Sequence, residues 1–159
     1  MPRVDFYHLQ KWPLERALPE LLERALAKGM KAVVVAASEE RVRALDALLW
    51  CYREDSWLPH GSAGCGEAAA QPVWITDKDE NPNTADLLVI TDGADIQDLG
   101  GYARCLDLFD GGVEADVAAA RTRWTRSRNA GHDLAYWQQD ADGRWTEKAK
   151  SAKPAENPA

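Results

Sequence analysis

The chain has 159 residues, 45% of them hydrophobic, enough for one domain with one core. A net charge of −7 and a pI near 5.0 exclude a nucleic-acid-binding surface spread over the whole protein. Three cysteines (Cys51, Cys65, Cys105) without a CxxC pair suggest neither a zinc site nor a disulfide framework; without a signal-peptide pattern or a bilayer-length apolar run, the reading is cytoplasmic and reducing.

Val4 to Leu9 is rich in β-formers and reads as a first strand. Pro13 opens a helix whose apolar positions (Leu14, Leu18, Leu21, Leu22, Ala25, Leu26) recur at helical spacing until Gly29. Pro19 interrupts that pattern and offers a second candidate start. Lys31 to Ala37 (KAVVVAA) is a continuous apolar run, as in a strand buried on both faces. Ser38 is placed to cap the next helix, with Glu39 and Glu40 at its positive end and Val42, Leu45, Leu48 and Leu49 on its inner face.

Trp50, Tyr52 and Trp57 then crowd around a polar turn, Arg53-Glu54-Asp55. Aromatics so placed are either core or, at a strand edge, a contact surface. Ser56 to His60 reads as a short extended segment. The loop from Gly61 to Gly66 (GSAGCG) lacks Gly-Lys-Ser/Thr and GxGxxG, so it is a weak phosphate-loop candidate. Pro72 to Thr76 is a short strand. Asp77 to Asn83 (DKDENPN) fails the calcium-loop register, because Pro82 and Leu88 stand where glycine and glutamate are needed. Asp86 to Thr91 and Arg104 to Leu108 are further strands, the latter with Arg104, Leu106 and Leu108 on one face. His132 to Gln138 is another, and Asp142-Gly143 is a hairpin signal before Arg144-Trp145. From Glu147 the chain is polar and Pro/Ala-rich, so residues 1–146 are read as the domain and 147–159 as a disordered tail.

The alternation of strands and helices predicts a single α/β domain, Rossmann-like, with a mixed, largely parallel sheet and helices on both faces. The closely spaced strands between Ser56 and Thr91 are expected to supply the mixing.

The stretch from Val113 to Trp137 carries the functional signal. At 100° per residue, Val113, Val117, Ala120, Arg121, Trp124 and Arg128 share one side of a helix that ends at Asn129-Ala130-Gly131. Two readings fit arginines on an apolar face. They snorkel at the edge of a core stripe, or they rim a shallow pocket with an apolar floor, suited to a peptide end with an aromatic side chain and a carboxylate. Charge favours an acidic partner here: Val117 to Trp137 holds four arginines against one acid, after a stretch (Asp77 to Asp116) with eleven acids and two bases.

Catalytic chemistry is hard to find. His8, His60 and His132 are far apart, follow no metal-ligand spacing, and accompany no GxSxG or HExxH motif. No catalytic residue, metal or cofactor is assigned. The alternative function is a small nucleotide-dependent α/β enzyme using the Gly61–Gly66 loop.

Between Val4 and Trp137 the chain resembles the chi subunit family of bacterial DNA polymerase III, accessory proteins of the clamp-loader complex. The resemblance is carried by Asp5-Phe6-Tyr7, Leu48-Leu49-Trp50, Trp57-Leu58-Pro59-His60 and Ala120-Arg121-x-x-Trp124 with Ala130-Gly131, in that order. It implies a Rossmann-like fold without nucleotide binding or catalysis, serving DNA replication. It implies two partners, the acidic C-terminal tail of single-stranded-DNA-binding protein and the small psi subunit or its equivalent. It also allows a helicase at the psi surface, and nucleic acid only indirectly. By position the tail pocket falls on Val117, Arg121, Trp124 and Arg128, Val117 standing where the family usually has lysine. The psi-facing surface falls on Trp50 and Trp57.

Overall fold

Three tetrapeptides, Ala32–Val35, Val73–Thr76 and Leu87–Ile90, are buried at every residue. Such strands need cover on both faces, which is the situation of the centre of a parallel sheet. The computed structural model provides it. It describes residues 3–51, 61–62, 71–96 and 99–151, apart from the side chains of residues 50, 51, 61, 62 and 149–151.

In chain order the elements are β1 (Arg3–Leu9), α1 (Leu14–Ala27), β2 (Ala32–Val35), α2 (Glu39–Cys51), β3 (Gly61–Ser62), β4 (Val73–Thr76), β5 (Leu87–Ile90), β6 (Arg104–Asp110), α3 (Glu114–Asn129), β7 (Leu134–Gln139) and β8 (Trp145–Ser151). They form one eight-stranded sheet ordered β3-β4-β2-β5-β6-β1-β7-β8. Helices α1 and α2 supply the core on one face, with Leu18, Leu22, Leu45 and Leu49 against Tyr7, Val34 and Leu108. Helix α3 lies on the other face, over Phe6, Phe109 and Leu134. The domain is therefore α/β with helices on both faces, as the alternation of elements predicts.

Several local expectations change. The sheet is mixed, but not where close strand spacing suggested. β2, β3, β4 and β5 all pair in parallel, and the only antiparallel partner among the described strands is β8, returning from β7. Asp142-Gly143 makes that return: Gly143 has φ +83, and Asp140 Oδ1 accepts from the backbone N–H of Asp142 and Arg144. α1 begins at Leu14 and runs through Pro19. Pro19 is the sixth residue of the helix, so its missing N–H forgoes the bond back to residue 15, while its ring is buried. β8 continues past Glu147 to Ser151, which corrects the expected start of the disordered tail; pairing with β7 satisfies the backbone of a segment too polar to earn burial. Residues 152–159, and the extended segment expected at 56–60, lie outside the described residues.

Two polar details fix the frame. The Ser38 hydroxyl accepts from the Arg41 backbone N–H at 3.2 Å, the predicted cap of α2. One acid of the 77–83 turn holds it to β4: Glu80 accepts from the Trp74 indole and the Thr76 hydroxyl.

Candidate functional site

The connection from β6 through α3 to β7 straddles β1, because β1 lies between β6 and β7 in the sheet. Register sets Phe6 opposite Asp107 on one side and Tyr136 on the other. Alternation along the strands then turns Phe6, Phe109 and Tyr136 towards α3. The helix covering them is poor in apolar residues, and only Ala120 and Ser127 on it are buried. A small residue at the point of approach leaves a gap beneath the helix. The result is a cavity of about 400 Å³ lined by Phe6, Phe109, Val117, Ala120, Arg121, Trp124 and Tyr136.

The floor is an aromatic box. Phe6 meets the edge of Trp124 at 5.3 Å between centroids, and Trp124 meets Tyr136 at 6.3 Å and 78°. Phe109 stands 6.1 Å from Tyr136. Behind this wall His8 is buried, with its Nδ1 and the Tyr136 hydroxyl hydrogen-bonded to each other. Burial lowers the His8 pKa, with the nearby Arg121 guanidinium adding to that effect, so the ring is held neutral at neutral pH. A Cβ at Gly111 would overlap the His8 ring, so the glycine in the β6–α3 turn keeps room for this brace.

Among the described residues, Arg121 is the one charged side chain lining the cavity. It is exposed and has no ion-pair partner among the described residues. The other arginines of α3 are differently employed. Arg123 points to the carboxyl ends of the strands and makes a bidentate pair with buried Asp107 at 2.6 and 3.0 Å. Burial raises the Asp107 carboxyl pKa and Arg123 pulls it back. Arg126 pairs with exposed Asp95 at 3.1 Å, and lines a shallow recess on the outer helix face together with Arg121, Thr122, Thr125 and Asn129.

The structure thus brings Val117, Arg121 and Trp124 to one cavity. Arg128 is exposed and does not line it. Seven residues from Arg121 keep it on the same helix side but place it about 10 Å farther along the axis. Ala120, on the same helix side, joins Val117, Arg121 and Trp124; Phe6, Phe109 and Tyr136 complete the site, and only the strand order assembles these three. Trp57, and the side chain of Trp50, lie outside the described residues. Of the alternative loop, Gly61 and Ser62 form β3 and the remainder also lies outside them.

The place where open α/β sheets bind nucleotides is the carboxyl edge of the strands. Here a crevice of about 450 Å³ occupies it, bordered by Glu15, Asp92, Asp110 and Asp116 against Lys11, Arg41 and Arg123. Arg41 is bound to Asp92 and Arg123 to Asp107, so acids dominate where a phosphate would sit. The turn after β1 reads Gln10-Lys11-Trp12-Pro13 and offers no glycine for close phosphate approach. Cys105 is buried, and burial pushes its thiol up to about 12, which makes it an inert side chain. No helix among the described residues is long and apolar enough to cross a membrane.

Comparison with known proteins points in one direction. A family model described as "DNA polymerase III chi subunit, HolC" matches residues 1–135. A probable DNA polymerase III subunit chi of Rickettsia prowazekii (strain Madrid E) is 32% identical over 96 residues, which cover 60% of this chain and 58% of that protein. The DNA polymerase III subunit chi of Pseudomonas aeruginosa is 33% identical over 92 residues, covering 56% of this chain and 63% of that protein. The chain spans about three-fifths of the length of the curated relatives it matches.

Proposed function

The chain belongs to the DNA polymerase III chi subunit family, and on that premise we propose that it is a non-catalytic accessory subunit of the replicative polymerase. Its role is to bind the acidic C-terminal tail of single-stranded-DNA-binding protein and link it to the clamp loader. The cavity beneath α3 receives the tail's last residue. An apolar side chain enters the box of Phe6, Phe109, Trp124 and Tyr136, and the terminal carboxylate meets Arg121. Arg128, farther along α3, meets upstream acids. The observation that carries this reading is the combination at Arg121: an exposed guanidinium without an ion-pair partner among the described residues, lining an otherwise apolar pocket. A charge-assisted contact there is worth about 1.5–3 kcal/mol, and the aromatic floor adds apolar burial.

The link onward is assigned to a psi-type subunit, or a helicase at the same surface, on Trp50 and Trp57. That assignment rests on the resemblance alone. The competing nucleotide-enzyme reading gains no support from the acid-dominated carboxyl-edge crevice, and thermal-shift assays with ATP or NAD are expected to show no stabilisation.

A pull-down tests the central reading. The chain should retain intact single-stranded-DNA-binding protein and lose it when its last residues are removed. Equal retention of the truncated partner would overturn tail capture.

A further inference from the structure

On the opposite face of the sheet, α1 lies over β6, and the cover beyond it, towards β7 and β8, comes from half-buried Trp137 and Trp145. Between α1 and these rings is a recess of about 290 Å³, lined by Tyr7, Arg24, Lys28, Arg104, Trp137 and Trp145 among others. Its aromatic wall is fixed in place. Tyr7 stacks on Trp137 at 6.2 Å and 12°, and meets Trp145 edge-on at 4.9 Å and 88°. The Trp137 indole donates to Asp5 at 2.9 Å, so the ring cannot rotate away.

The charge around this wall is positive on a protein that is acidic overall. The buried Asp5 carboxylate is spent on Arg3 at 3.0 Å, Arg104 at 2.8 Å and Trp137. Arg24 in the last turn of α1 and Lys28, which caps its C-terminus, are both exposed and have no ion-pair partner among the described residues. Cations near a helix C-terminus are ordinary complements of its dipole. What that role does not explain is why they face a pocket walled by three aromatic rings, with a third cation, the Arg104 guanidinium, also in its lining.

We infer that this recess binds a nucleotide unit of a single strand of nucleic acid, with a base stacked on the Trp137–Trp145 wall and its flanking phosphates on Arg24 and Lys28. Aromatic faces next to a short row of cations are how sequence-tolerant sites hold single strands. The volume suits one nucleotide, and two exposed cations beside the aromatic wall make contact weak and local. The site lies on the other face of the sheet from the cavity beneath α3, and the inference does not depend on tail capture.

The test is fluorescence anisotropy of a labelled oligothymidylate of about 15 nucleotides, titrated with the full chain alone at low salt. Two phosphate contacts predict a log–log salt slope of about −1.4. Arg24→Ala/Lys28→Ala, both exposed, should leave the unfolding curve unchanged, weaken binding about tenfold or more and flatten that slope. Trp145→Leu should lose affinity at unchanged slope, separating stacking from charge. Arg43→Ala, on the exposed side of α2, should change nothing. The inference is overturned if the oligonucleotide does not bind, or if Arg43→Ala weakens it as much as the double variant. It is overturned as well if thymidine monophosphate binds as tightly as the strand, or if an acidic peptide occupies the recess in place of the oligonucleotide.

Discussion

Arg121 and Arg123 stand two residues apart on α3 and live in opposite surroundings. Arg123 is 11% exposed and locked on a carboxylate that is 2% exposed. Arg121 is exposed over a pocket of aromatic carbon, with no carboxylate of its own among the described residues. Two residues turn the helix by about 200°, so one arginine reaches the strand ends and the other the gap over β1. A charge satisfied within the domain is part of its frame, whereas a charge left unpaired beside apolar surface is available to a partner. Counting the four arginines of α3 as one basic patch hides that distinction.

The larger effect is expected at Arg123. Arg123→Ala leaves Asp107 buried without its partner, and breaking such a pair costs about 3–5 kcal/mol. Urea unfolding should show that loss, while the folded fraction still binds the tail peptide; an unchanged midpoint would mean that the pair is not part of the frame. Arg121→Ala should do the reverse. Tail-peptide affinity, read by fluorescence titration, falls roughly ten- to a hundredfold, and stability changes by less than about 0.5 kcal/mol.

Gly111→Ala joins the two regions. Its Cβ would overlap buried His8, so overpacking should cost about 1–3 kcal/mol and displace the Tyr136 wall, weakening the tail complex as well. Loss of stability with unchanged tail affinity would show that the His8–Tyr136 brace does not shape the pocket. Arg126 sharpens the contrast at smaller scale. Already paired with Asp95 on the surface, it should cost several times less binding on mutation to alanine than Arg121 does. Equal losses would indicate diffuse charge attraction instead of a pocket.

The smallest effect is in pH. The folded pKa of His8 lies below its ordinary 6.5, so below that pH the unfolded chain takes up a proton that the folded chain resists. The contribution of neutral His8 is therefore complete above about 6.5 and is lost as pH falls through the lowered folded value. Melting temperature should decline over that window, and His8→Gln should remove that component of the decline.

Most of the elements and the helix face were legible in local sequence pattern. Continuous apolar runs marked β2, β4 and β5, Ser38 marked the start of α2, and Asp142-Gly143 marked the last hairpin, because each is a local constraint acting through nearby backbone. Helical periodicity placed Val117, Arg121 and Trp124 together for the same reason. It could not limit how far that face extends, and so grouped Arg128 with a pocket it does not line. Tertiary structure decided the rest. The floor of the cavity comes from β1, β6 and β7, about 100 or more residues apart in sequence between Phe6 and its neighbours Phe109 and Tyr136, and only the insertion of β1 between the other two brings them under α3. The partner of Arg123 likewise depended on which strand end lay within reach. Pairing across the sheet is a long-range choice, made by the whole core at once, and no local pattern in the chain encodes it.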